Sequence, residues 1–113
     1  MNHPFQKALF FMAVAACCAP ALAVDVEAAK SLVRRNSCLK CHDVGRDATP
    51  FKKIAERYRG DAKAEDKLIN HLTSSPEVTY LDGKTKEEHN IAKTVPPKDE
   101  AQLRNLVQWV LSN

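Results

Sequence analysis

Cys38-Leu39-Lys40-Cys41-His42 is the stretch on which the reading of this chain turns. Two thiols three positions apart, with an imidazole directly after them, suit three chemistries. A C-x-x-C pair in an oxidising compartment reads as a redox disulfide, but that site belongs in a βαβ setting, and no such alternation flanks Cys38. Two cysteines and a histidine also suit zinc, which takes a fourth ligand and usually a second paired cluster. The third reading is the attachment site of a c-type haem, C-x-x-C-H. There the two thiols add to the two vinyl groups of the porphyrin, and His42 becomes the near-side ligand of the iron. Covalent attachment suits a chain of 113 residues, because a domain this small buries limited surface and holds a large cofactor poorly by packing alone.

Upstream, Lys7 precedes an uncharged run from Ala8 to Ala16, and small residues end in Ala21-Leu22-Ala23. A positive start, a short apolar stretch and an A-x-A site predict a secretory signal over residues 1–23, cleaved after Ala23, and a single exported, periplasmic domain over 24–113. The apolar run is too short to span a bilayer. A rival cut at Val14-Ala15-Ala16-Cys17 would leave Cys17 as a lipid anchor. Cys17 and Cys18 leave with the signal, so of four cysteines only Cys38 and Cys41 stay. Lys7 is the one charge lost, lowering the net charge from +3 by one. The basic residues interleave with acids, which gives no reason to expect nucleic-acid binding. No GxGxxG, P-loop or GxSxG motif is present, which removes the common nucleotide and hydrolase classes. Three glycines are too few for an all-β fold rich in turns.

Downstream the pattern is helical. Asp25 to Arg35 carries acid at its start and Arg34-Arg35 at its end, with Ala28, Ala29, Leu32 and Val33 as the apolar stripe. Thr49-Pro50 opens a second segment with Phe51, Ile54, Ala55 and Tyr58 inward and Gly60 as its stop. A third runs from about Ala64 to Leu72 with Leu68, Ile69 and Leu72 inward, ended by Ser74-Ser75-Pro76. Glu77 to Pro97 reads as loop, broken at Asp82-Gly83 and Pro96-Pro97. In the last helix Asp99 and Gln102 form a capping pair ahead of Leu103, Leu106, Val107, Val110 and Leu111.

Over residues 24–113 the chain resembles the small monohaem class I cytochromes c of bacteria. The likeness rests on an N-terminal helix running into Cys38-Leu39-Lys40-Cys41-His42, on Thr49-Pro50-Phe51 and Ile54-Ala55, and on Asp99-Glu100-Ala101-Gln102 leading to Trp109-Val110-Leu111-Ser112. It implies an all-α fold, three to five helices wrapped around one haem c held by Cys38 and Cys41, with the first and last helices crossing near Leu32 and Trp109. It implies that the carbonyl of Pro50 accepts the ring N–H of His42, fixing the imidazole as second-shell partners do; Pro50 also reads as a plain helix-opening residue.

One departure matters. The family supplies a methionine to the far side of the iron, often before Pro-Pro, whereas Val95-Pro96-Pro97 stands here and the two methionines are Met1 and Met12. Histidine is the natural substitute. His89, six positions before Val95, is the expected distal metal ligand opposite His42. His71 is the alternative, or a contact to a haem propionate, as the resemblance implies for its helix; a vacant site is the third possibility. Two imidazoles favour ferric iron relative to an imidazole–thioether pair, so the expected function is a one-electron carrier of low potential, not an enzyme. Phe51, Ile54, Leu68, Leu72, Ile91 and Val95 are the expected apolar shell. Redox proteins are the expected partners, met as a monomer through a small, brief interface, with Lys40, Lys52, Lys53, Lys84 and Lys86 steering an acidic one or simply solvated. With an open distal site the chain would instead bind nitric oxide or carbon monoxide. A relay subunit of a larger periplasmic oxidoreductase is the third reading.

Overall fold

The computed structural model describes residues 23–44 and 46–113. The expected signal through Leu22, with Cys17, lies outside the described residues. Asp25 opens the first helix, α1 (Val26–Arg35), by accepting the amide of Ala28 at 3.0 Å. Glu27 in its first turn and Arg34 and Arg35 in its last complement the helix dipole. Its buried stripe is Ala29, Leu32 and Val33. Ala28, expected in that stripe, faces solvent.

A one-turn helix, α2 (Leu39–His42), follows, then α3 (Phe51–Arg57) and α4 (Ala64–Ser74). Gly60 takes φ +79° between α3 and α4, where the chain must turn and an L side chain is disfavoured. The last helix, α5 (Glu100–Leu111), buries Leu103, Leu106, Val107 and Val110. It packs against α1, α3 and α4. Leu32 and Val33 meet Leu106 and Val110 at the core, with Trp109 beside them, as expected for the crossing of the first and last helices. Asn105 fastens the two ends: its Oδ1 accepts the amide of Asp25 at 2.8 Å, and its Nδ2 donates to the Asp25 carbonyl at 2.9 Å.

The stretch expected to be loop contains an antiparallel ribbon. Strand β1 (Glu77–Thr79) pairs with β2 (Lys86–Glu88) in the register Glu77 to Glu88, Val78 to Glu87, Thr79 to Lys86. Strands of three residues are too short to show alternation. Asp82-Gly83 is the turn that makes the ribbon: Gly83 adopts φ +70°, and Asp82 Oδ1 accepts the amides of both Lys84 and Thr85 at 2.8 Å. The core remains all-helical. No helix of the described residues is long and apolar enough to cross a membrane.

Candidate functional site

Cys38 is positioned by the way α1 stops. Ser37 enters the left-handed region at φ +53°, its N–H returns to the Arg34 carbonyl and that of Cys38 to the Val33 carbonyl, both at 3.1 Å. These are the paired bonds of a Schellman stop. The chain then starts a fresh turn, with the Cys38 carbonyl accepting the His42 amide at 3.0 Å. Residues three and four apart share a helix face, so Cys41 and His42 fall beside Cys38. All three line one cavity of about 380 Å³.

Its apolar wall comes from α3, α4, α5 and the segment that follows β2. Phe51, Ile54, Leu68, Leu72 and Ile91 line it as expected. Val95 does not: it is 72% exposed. The backbone alternates here, tucking Thr94 inward, where its hydroxyl donates to the Pro96 carbonyl at 2.7 Å, and turning Val95 out. A second recess, of about 600 Å³, lies at the α3–α4 turn against α5. It is lined by no cysteine or histidine.

The His42 Nδ1 lies 2.7 Å from the Thr49 carbonyl. A carbonyl only accepts, so Nδ1 carries the proton and Nε2 keeps its lone pair for a metal. This corrects the expectation for Pro50. The acceptor stands one residue earlier, because the Pro50 carbonyl is committed to the first turn of α3, accepting the amides of Lys53 and Ile54 at 3.0 and 3.1 Å. The His42 ring also stacks on Phe51, centroids 5.2 Å apart, and Phe51 meets Trp109 edge-on at 5.8 Å. Burial lowers the His42 pKa; the Thr49 bond opposes this and the charge of His89 adds to it. Burial raises the Cys38 thiol pKa, opposed by its own backbone amide.

His89 follows β2 and faces His42 across the cavity, ring centroids 6.2 Å apart with the planes 52° from parallel. Its Nδ1 is 2.8 Å from the Asn90 carbonyl, so by the same logic its Nε2 keeps the lone pair. His71, in the last turn of α4, also lines the cavity and touches His89 edge-on at 4.5 Å. Its pKa is lowered by burial first, then by the charges of His89 and His42. The ribbon contributes wall residues that sequence reading missed, Val78, Thr79 and Tyr80 among them. The Tyr80 hydroxyl donates to the Glu87 carboxylate. Asp82-Gly83 was the available signal for that wall, whereas the carbonyls of Thr49 and Asn90 leave none, since every residue carries one.

Two imidazoles with unprotonated nitrogens and two thiols, all lining one largely apolar cavity, are a donor set that could hold a porphyrin. A family model described as Cytochrome c matches residues 26–113. The chain belongs to the cytochrome c family. The crystal structure of the class 1 cytochrome MtoD from Sideroxydans lithotrophicus ES-1 is similar to it, at 50% identity and a TM-score of 0.69, covering 80% of this chain and 97% of that one. No curated protein matches the chain. This is a small class I c-type cytochrome with a covalently attached haem c, and it is an electron carrier. The cavity fits that group. Imidazoles bound to one metal from opposite sides, each through a nitrogen at about 2 Å, have ring centres roughly 6 Å apart; the observed separation of 6.2 Å matches.

Proposed function

We propose that Cys38 and Cys41 hold the haem through thioether bonds, that His42 and His89 ligate its iron from the two sides, and that this cytochrome works at low potential in the periplasm. The observation that carries the reading is the matched pair of rings. Each has its Nδ1 proton on a backbone carbonyl, and the rings face one another at the separation two axial ligands require. The bound haem supplies one iron that holds or releases a single electron. The protein's part is to hold both rings still and to keep water from the iron through Phe51, Ile54, Leu68 and Leu72. With imidazole in place of thioether the ferric state is favoured, and the potential falls below that of methionine-ligated relatives. The signal-like residues 1–23 support export; amino-terminal sequencing of the mature protein is expected to begin at Val24, and lipid on Cys17 would overturn that assignment.

Lys40, Lys52 and Lys84 are exposed and suited to steer an acidic redox partner. Lys53 and Lys86 are engaged with Glu56 at 3.0 Å and Glu77 at 3.3 Å, which weakens their share. The deciding experiment compares absorption and EPR spectra of the wild type and His89→Ala. Low-spin ferric and ferrous spectra, indifferent to carbon monoxide in the wild type and converted to a gas-binding five-coordinate form in the variant, are expected. Carbon monoxide binding by the wild type would replace the carrier with a gas binder. His89→Met is expected to raise the midpoint potential.

A further inference from the structure

We propose that the C-terminal turn of α4 is the seat of the distal ligand: His71 and Ser75 are positioning residues that set the ring plane and the hold of His89. The proposal rests on the reading of His89 as an iron ligand. His89 arrives from β2, but its fastenings lie at the end of α4 and directly after it. The Ser75 hydroxyl donates to the His89 carbonyl at 2.8 Å, and the Pro76 carbonyl accepts the His89 amide at 2.9 Å. The His71 ring meets the His89 ring edge-on, centroids 4.5 Å apart and planes 60° from parallel. Because His71 stands on a helix of eleven residues, its ring meets His89 from a fixed backbone, and the contact restricts rotation of His89 about its side-chain bonds.

Ser75 marks the cost of this arrangement. It caps α4 in the left-handed region, at φ +52° and ψ +54°. Glycine is the usual residue there because it lacks the Cβ that crowds the following carbonyl. What serine adds over glycine is the hydroxyl, and that hydroxyl is spent on His89. The two axial candidates are therefore oriented independently. Thr49 and Phe51 hold His42, while His71, Ser75 and Asn90 hold His89. Their planes are left 52° apart. The angle between two axial imidazole planes governs the splitting of the iron d orbitals, and so the spread of g values in the ferric EPR spectrum.

The test uses haem-loaded wild type, His71→Ala, His71→Phe, Ser75→Gly and Ser75→Ala, with His89→Ala as control. EPR, thermal unfolding and the rate at which cyanide displaces the distal ligand are measured. His71→Ala is expected to remain low-spin with a shifted g spread, and His71→Phe, which restores an edge-on ring, to return toward the wild type. Ser75→Gly is expected to unfold no earlier than Ser75→Ala yet to exchange its ligand for cyanide roughly tenfold faster than wild type, the effect of one lost hydrogen bond. Wild-type g values and exchange rates in His71→Ala and Ser75→Gly would overturn the proposal while leaving His89 as ligand. A His71→Phe variant indistinguishable from His71→Ala would overturn it too, since a polar nitrogen rather than a ring contact would then matter. An unchanged low-spin signal in His89→Ala would remove the ligand assignment and this inference together.

Discussion

Asn36 shows how much one side chain does in this fold. Its Nδ2 donates to the carbonyls of Leu32 and Lys93 at 3.0 and 3.1 Å, and its Oδ1 accepts the Lys93 amide at 2.7 Å. One amide thus ties the end of α1 to the segment after His89, two steps in the chain from the cysteine pair on one side and four from His89 on the other. A net hydrogen bond contributes about 1 kcal/mol, and all three bonds are lost together in Asn36→Ala. We expect that variant to lose roughly 2–3 kcal/mol in urea unfolding. Asn36→Asp is expected to lose a similar amount, because a carboxylate cannot donate to the two carbonyls that Nδ2 serves. Thr49 sets a contrast. Its function lies in its carbonyl, so Thr49→Ser is expected to leave the ferric spectrum unchanged, provided the backbone before Pro50 stays extended.

At the level of elements, α5 and the ribbon are held by opposite devices. Asp99 caps α5 through Oδ1 to the Gln102 amide at 2.9 Å, and its own amide donates to the buried Thr94 hydroxyl at 2.9 Å. The Gln102 side chain does not complete the expected capping pair; it donates instead to the Val95 carbonyl at 2.8 Å. Asp99→Ala is expected to cost about 1 kcal/mol of stability, as losing such a cap commonly does. The ribbon depends on exposed polar contacts. The Glu87 carboxylate, by accepting its hydroxyl proton, pushes the Tyr80 pKa up to about 12, with desolvation adding to the shift. A raised folded-state value means that the folded chain holds this proton more tightly than the unfolded one. The stabilisation is therefore whole below about pH 10, the ordinary tyrosine value, and is lost as pH climbs to about 12. Ultraviolet titration of tyrosinate should show the late phase vanish in Glu87→Gln.

Across the whole molecule the apolar core is small. Among the described residues nine apolar side chains are buried, most of them on α1 and α5. Phe51, Ile54, Leu68 and Leu72 are only partly covered, because they face the cavity. Leu106, 3% exposed, stands where α1 crosses α5, and Leu106→Ala is expected to cost about 2–5 kcal/mol. That is a large share of what a domain of this size possesses. A haem in this cavity would complete the core: being covalently attached it stays on the unfolded chain, so it would stabilise the fold through the apolar area it covers when these side chains close on it. A Cys38→Ala, Cys41→Ala double variant recovered without haem is expected to show weakened helical circular dichroism and no cooperative thermal transition; a sharp transition near that of the haem-loaded protein would contradict this.

What could be read directly from the chain were the features encoded locally. The Cys38–His42 spacing, the Asp25 and Asp99 caps and the apolar repeat of α5 each lie within a few residues and answer to a helix period of 3.6. Tertiary structure decided whatever joins distant segments. It brought His89 opposite His42 across 47 positions of chain, moved the acceptor of the His42 proton from Pro50 to Thr49, turned Val95 outward, and set His71 and Ser75 against His89. The reason is physical. A helix period or a cap is fixed by neighbours along the backbone, whereas the direction of a ring and the partner of a carbonyl are settled only when separate elements pack and each polar group must find its mate.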